Sequence, residues 1–347
     1  MDKGEKSMEA MNQKGSLSSR VIYSLGLIAL ICAPFVMSDF RLSLLAKFLC
    51  FAIVAVGLDM IWGYTGILSL GHGVFFGLGA YCMAMYLKLE ASGERMPDFK
   101  VWSGLSDIPS FWIPFESPWF AIPAVILLPA LLALGLGFFT FRNRIRDVYF
   151  TILTQALVII MVTLFIGQQA YTGGTNGITG FTTLFGFSLA ARETKLALYY
   201  VTAGFLVVVL LLCRWMIGTR FGKVLRAIRD GENRTRFLGF DPAVYKMVVF
   251  SLSAGLAGLG GALFVLHVGI MSPSMMAITS SIEMVLWVAV GGRGTLFGAA
   301  FGALVVNWAK TTFSEAYPSM WSYFLGGLFV LVVAFFPRGI AGISLSR

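Results

Sequence analysis

Read by its hydrophobic and polar positions, the chain alternates long apolar runs with short polar ones. Polar residues of mixed charge fill 1–20. Apolar runs then occupy 21–37, 42–62, 67–87, 119–141, 148–167, 196–217 and 246–266. Two shorter runs broken by glycine follow at 276–290 and 295–313, and a last run fills 321–336. A helix needs ~20 apolar residues to cross a ~30 Å hydrocarbon core. In lipid a helix also satisfies its own backbone groups. The pattern therefore predicts an all-α fold, a polytopic membrane helix bundle of about ten transmembrane spans. The eighth run is short for a full crossing, so a tilted, re-entrant or broken span is expected there. The first run is read as a span and not as a signal-peptide core. A long tail precedes it, and no small-x-small cleavage site comes before Ser38-Asp39.

Charge orients these spans. With the N-terminal tail inside, the inside segments are 1–20, 63–66, 142–147, 218–245, 291–294 and 337–347. Counting Lys246 at the membrane edge, they hold 17 of the 26 Lys and Arg residues, while the acids split almost evenly. That asymmetry in Lys and Arg alone is the positive-inside pattern, and it places both termini in the cytosol. The domain organisation follows. A cytosolic tail, 1–20, precedes a transmembrane domain over 21–340, and a C-terminal tail fills 341–347. Loops 88–118 and 168–195 lie outside, and loop 218–245 lies in the cytosol.

Composition removes the alternatives. Hydrophobic residues make up 58% and charged residues 12%, against about 25% charged in soluble domains. A soluble globule and a disordered chain are both excluded. The net charge of +9 reads as topology and not as a nucleic-acid surface. The four cysteines stand singly inside apolar runs with no CxxC pair, so neither a metal nor a disulfide is expected of them, and no cofactor is expected.

Loop 88–118 is rich in Pro and aromatic residues, and loop 168–195 contains Tyr171-Thr-Gly-Gly-Thr-Asn-Gly177. Each reads as a docking surface or gate, against an interfacial aromatic belt and ordinary turns. In loop 218–245, Phe221, Val224, Leu225 and Ile228 fall at i, i+3, i+4 and i+7, one face of a short helix. Lys223, Arg226, Arg229 and Asp230 fill the rest of its circumference, and Gly231 is positioned to end it. Such a helix lies on lipid or docks into a groove of a partner. The chain has no GxxxxGK[ST] phosphate loop, so any nucleotide hydrolysis belongs to another polypeptide.

The segment Gly57-Leu-Asp-Met-Ile-Trp-Gly-Tyr-Thr-Gly-Ile-Leu-Ser-Leu-Gly-His-Gly73, with its continuation to Tyr81, resembles the permeases of branched-chain amino-acid-type ABC importers. So do Arg226-Ala-Ile-Arg-Asp-Gly-Glu-Asn233, Leu238-Gly-Phe-Asp-Pro242 and Ala254-Gly-Leu-Ala-Gly-Leu-Gly-Gly-Ala-Leu263. Within that family, Ile61-Trp-Gly-Tyr-Thr-Gly66, the loop 97–112 and Ile282-Glu-Met-Val-Leu-Trp-Val-Ala-Val-Gly-Gly-Arg-Gly-Thr295 are similar to the urea-transporting branch. The resemblance implies a multi-pass protein of the bacterial inner membrane. Its expected partners are a second permease, two cytosolic ATP-binding subunits, a periplasmic binding protein and membrane lipid. It also implies that Phe221, Val224, Leu225, Arg226, Ile228, Arg229 and Glu232 couple the chain to an ATPase. The expected function is import of urea or short-chain amides for nitrogen uptake, by alternating access. A branched-chain amino-acid permease and a passive urea or amide channel are the alternatives. No HExxH, GxSxG or Cys/His constellation points to an enzyme.

Polar residues inside spans carry the remaining chemistry, because a mid-bilayer charge costs at least ~2.5–3.5 kcal/mol. Lys47 and Arg214 lie near span ends and can snorkel. Asp59 stands twelve residues from Lys47, ~18 Å along a helix, so the two do not pair. His72, Thr154, Gln155, Glu283 and Trp287 offer the donors and acceptors that a small uncharged amide needs. Packing through interhelical hydrogen bonds is the alternative role for each of them. Gly73-Val-Phe-Phe-Gly77 and Gly298-Ala-Ala-Phe-Gly302 fit close helix contacts. The likeness of Gly291-Gly-Arg-Gly294 to Gly63-Tyr-Thr-Gly66 raises an internal duplication.

Overall fold

The computed structural model describes residues 26, 28–93, 108–145, 147–317 and some positions between 320 and 339. The two terminal tails, positions 94–107 of the first outside loop and most of the last apolar run lie outside the described residues. Among the described residues, nine helices of fourteen residues or more organise the fold. They are α1 (Asp39–Thr65), α2 (His72–Ser92), α3 (Pro118–Arg142), α4 (Asp147–Gly167), α5 (Arg192–Gly218), α6 (Arg220–Phe237), α7 (Pro242–Val268), α8 (Ile278–Gly291) and α9 (Leu296–Ala316). Four two-residue strands form two small antiparallel pairs. Ile178–Thr179 pairs with Ile270–Met271, and Thr183–Leu184 pairs with Phe187–Ser188.

Contacts divide the chain into Met1–Leu44 and Leu45–Arg347. In the first unit, residues 28–36 are helical and mostly exposed. The second unit holds the core. Six of the described helices are long and apolar enough to cross a membrane, and α8 with α9 makes a seventh if the bent pair is one span. About ten were expected. Six positions of the first expected run and nine of the last lie outside the described residues, and the eighth and ninth runs form a pair bent by 119°.

Burial separates two kinds of helix. In their most apolar windows α1, α2 and α7 are 78%, 83% and 78% buried, whereas α3, α4 and α5 are 28%, 22% and 39% buried. The first three form the centre. The others turn Ile152, Ile160, Leu211 and Trp215 outward, as suits helices whose solvent is lipid. Close backbone approach holds the centre together. A Cβ on Gly79 would overlap the backbone of Gly258, so α2 and α7 touch main chain to main chain there.

Two buried breaks define the architecture. The expected span 67–87 begins only at His72, because residues 66–71 are irregular. Gly66, at φ +82°, takes the left-handed conformation just beyond α1. Buried irregular backbone needs partners, and α4 supplies them. The Leu70 amide donates to Thr154 Oγ1 at 3.2 Å, and Thr151 Oγ1 donates to the Leu68 carbonyl at 2.8 Å. The second break, residues 269–277, joins α7 to α8. The breaks meet where the Gly73 amide donates to Ser281 Oγ at 3.1 Å and Met276 fills the space beside Gly77. Gly77 thus faces this segment, and Gly73 faces both it and the first turn of α8.

Helix directions relate the two breaks. Ser253 and Gly260 of α7 lie against Gly57 and Cys50 of α1, so α7 runs antiparallel to α1. Phe51 meets Trp287 and Gly63 meets Gly294, so α8 runs with α1. The series α1, break, α2 and the series α7, break, α8 are therefore one device used in opposite senses, as in inverted-repeat transporters. Segments 63–66 and 291–294, alike in sequence, pack against each other.

Candidate functional site

The first cluster lies where the breaks meet. His72 is fully buried, with Nδ1 3.2 Å from Ser69 Oγ and Nε2 2.8 Å from Ser253 Oγ. Ser253 Oγ donates to the Gly57 carbonyl at 2.5 Å, which ties α7 to α1. Thr154 is buried and donates to the Thr151 carbonyl at 2.8 Å, while Gln155 beside it is half-buried. Ser69, Thr151, Ser253 and Ser281 had no distinctive signal in the sequence. Hydroxyl residues are common in membrane helices, and only their partners reveal a role.

The second cluster is aromatic and charged. Trp287 of α8 packs on Phe51 of α1 with ring centroids 4.8 Å apart, and Phe51 stacks on Phe264 of α7 at 5.4 Å. The Lys47 ammonium lies 5.9 Å from the Phe51 ring centre and 5.7 Å from that of Phe264. Both contacts are within cation–π range. Glu283 receives hydrogen bonds from Lys310 Nζ on both carboxylate oxygens at 2.7 Å. Trp287 Nε1 is buried and donates to none of the described residues. The five expected path residues thus separate, with His72, Thr154 and Gln155 near the breaks and Glu283 and Trp287 in the aromatic cluster.

The loop 168–191 folds back on the second break through the 178–179 and 270–271 pairing. Lys88 Nζ donates to the Thr179 carbonyl at 3.1 Å, and the Gly186 amide donates to Glu90 Oε1 at 2.7 Å.

The third cluster surrounds α6. Two helical stretches meet at Gly231, a non-helical kink inside Arg220–Phe237, so the first ends where the sequence expectation ended it and a second continues α6. Its turn re-forms because Thr235 Oγ1 donates to the Gly231 carbonyl at 3.1 Å and Arg236 pairs with Glu232 at 3.0 Å. Glu232 also binds Lys246 of α7 at 2.7 Å. Leu225 and Ile228 are buried within the chain, and half-buried Phe221 stacks on Tyr245 at 5.6 Å. Val224 is half-buried and Arg226 is exposed. Arg226 donates to the Gly222 carbonyl at 3.3 Å. Arg229 Nη1 reaches the Gly63 carbonyl at 2.8 Å, fastening α6 to the C-terminal end of α1. Phe237 and Leu238, 92% and 75% exposed, are the large apolar residues that α6 and its end turn outward. They fall beyond the expected helix end, so periodicity did not single them out. A cavity of about 730 Å³ opens between the 230–236 stretch and Phe141, Arg144, Ile145 and Lys246. No cluster of three or more His, Cys, Asp or Glu suited to a metal occurs among the described residues.

Residues 40–333 match a family described as the permease component of branched-chain amino acid transport systems. The high-affinity branched-chain amino acid transport permease LivM of Escherichia coli K12 is 27% identical over 94% of this chain and 76% of its own length. The corresponding BraD of Pseudomonas aeruginosa is 22% identical over 84% of this chain and 91% of its own. A probable LivM of Methanocaldococcus jannaschii is 23% identical, covering 83% and 89%. No solved structure matches.

Proposed function

Because the chain belongs to the permease family of branched-chain amino acid transport systems, we propose that it imports urea or short-chain amides by alternating access as one subunit of an ATP-driven importer. A permease component is not itself an enzyme, and hydrolysis of ATP lies in separate subunits. The proposed assembly adds a second permease, two cytosolic ATP-binding subunits and a periplasmic binding protein, in the bacterial inner membrane. The binding protein delivers solute to the outer loops. ATPase closure moves α6, and the bundle switches between outward and inward openings.

The observation that carries the substrate reading is the neutrality of the polar groups where the breaks meet. Ser69, Ser253, Ser281 and Thr154 offer hydroxyls there, and His72 is bonded to two of them. The Glu283 carboxylate is already matched by Lys310. A path opened through such neutral groups would suit a solute that has several donors and acceptors but no net charge. His72, Thr154, Gln155, Glu283 and Trp287 are the proposed path residues, and the resemblance of 61–66 and 282–295 to the urea branch points the same way.

One observation favours a second reading, import of a branched-chain amino acid. Lys47 stands beside the Phe51 and Phe264 rings, where it is placed to meet a carboxylate over an apolar wall. Uptake of labelled urea and labelled leucine, in cells with and without the chain, separates the two. Chain-dependent urea uptake is expected, and chain-dependent leucine uptake alone would replace the substrate assignment.

A further inference from the structure

We propose that Asp59 is a positioning residue that locks the turn between α8 and α9 to the C-terminal end of α1, so that movement of the coupling helix reaches the buried breaks. Asp59 is fully buried, and its Oδ1 accepts the Gly294 amide at 2.7 Å. Its Oδ2 accepts no hydrogen bond from the described residues. A half-satisfied buried carboxylate is a costly way to fill space. An apolar side chain would serve packing alone.

Three further contacts make the junction. Tyr64 OH donates to the Gly294 carbonyl at 2.9 Å, and Arg229 of α6 donates to the Gly63 carbonyl at 2.8 Å. The Arg293 guanidinium lies 5.4 Å from the Trp62 ring centre. Gly63 is the residue that permits this approach. A Cβ there would overlap Asp59 Oδ1 and lie 2.5 Å from the Gly294 amide nitrogen. Gly294, at φ +81°, holds the left-handed conformation that aims its amide at the carboxylate.

The consequence is mechanical. Helix α8 is fourteen residues long and tied at both ends. Gly294, just past its C-terminal end, is held by Asp59, and near its other end Ser281 holds the Gly73 amide. A shift of α6 acts on Gly63 through Arg229, on Gly294 through Asp59, and along α8 on the point where the breaks meet. Contiguity alone does not prove such coupling, so the test measures it.

The transport arm of the test rests on the importer reading, and the exchange arm does not. The full importer is reconstituted with wild-type, Asp59→Ala or Asp59→Asn chain. Asn keeps an acceptor oxygen for the Gly294 amide. Asp59→Ala is expected to lower solute imported per ATP at least about tenfold, while the ATPase subunits still assemble and hydrolyse. Asp59→Asn is expected to stay within about threefold of wild type. Hydrogen exchange at 291–297 should speed up in Asp59→Ala and not in Asp59→Asn. If Asp59→Ala does not accumulate, Gly63→Ala takes its place, because its methyl group displaces the amide from the same oxygen. Wild-type coupling and exchange in these variants would overturn the proposal, as would an Asp59→Asn chain as impaired as Asp59→Ala. Exchange that responds while no solute is imported would leave the junction standing and remove the importer reading.

Discussion

Glu283 and Lys310 set the sharpest test at the scale of single residues. Removing the carboxylate leaves Lys310 without its acid and facing Lys47 across the same cluster. Breaking a fully buried pair this way costs about 3–5 kcal/mol. Lys310 is 36% exposed and Glu283 15%, so Glu283→Gln should cost less, about 1–3 kcal/mol. A melt in detergent would measure it. The double variant Glu283→Gln with Lys310→Met removes both charges and should recover most of that loss. If the solute is neutral, its urea uptake should stay within about fivefold of wild type, the equivalent of roughly one hydrogen bond. Ser253→Ala is the matching test at the breaks. It strands His72 Nε2 and removes the tie to the Gly57 carbonyl, so about 1–3 kcal/mol of stability should be lost. Glu283 and His72 were legible in the sequence because polar groups in apolar runs need a reason. Their partners were not, since Lys310 and Ser253 lie 27 and 181 residues away.

Helix α6 behaves as an element with two faces. Leu225 and Ile228 seat it, so Leu225→Ala with Ile228→Ala should loosen it by about 2–5 kcal/mol per site, the usual cost of a core truncation. Faster proteolysis within 218–245 would report that loosening. Phe237→Asp with Leu238→Asp changes only exposed positions. It should leave that proteolysis unchanged while the ATPase subunits no longer co-purify. Normal recovery of the ATPase in this variant would move the docking surface elsewhere. The apolar spacing 221, 224, 225 and 228 correctly marked a helix face. It did not say which side the face turns to, because periodicity gives a direction only relative to a known partner. The late start of α2 was hidden for a related reason. Residues 67–70 are as apolar as a span, and only the hydroxyls of α4 make an extended path there affordable.

For the whole molecule, the apolar runs revealed a helical membrane protein and the order of its central spans. The opposed use of α1, break, α2 and α7, break, α8 was not readable. The two breaks open alike, Gly66-Ile-Leu-Ser69 and Gly269-Ile-Met-Ser272, each on a left-handed glycine, but a match of four residues is too short to announce a repeat and the segments diverge after it. Direction emerged only from which residues touch. The central claim is that this chain moves a small uncharged amide at the expense of ATP held by its partners. The most direct measurement is accumulation of labelled urea in proteoliposomes containing the complete importer, with and without internal ATP, against excess leucine. Accumulation above the external concentration that requires ATP and ignores leucine is the predicted result. Equilibration without ATP would make the chain a channel, and accumulation of leucine with exclusion of urea would contradict the substrate.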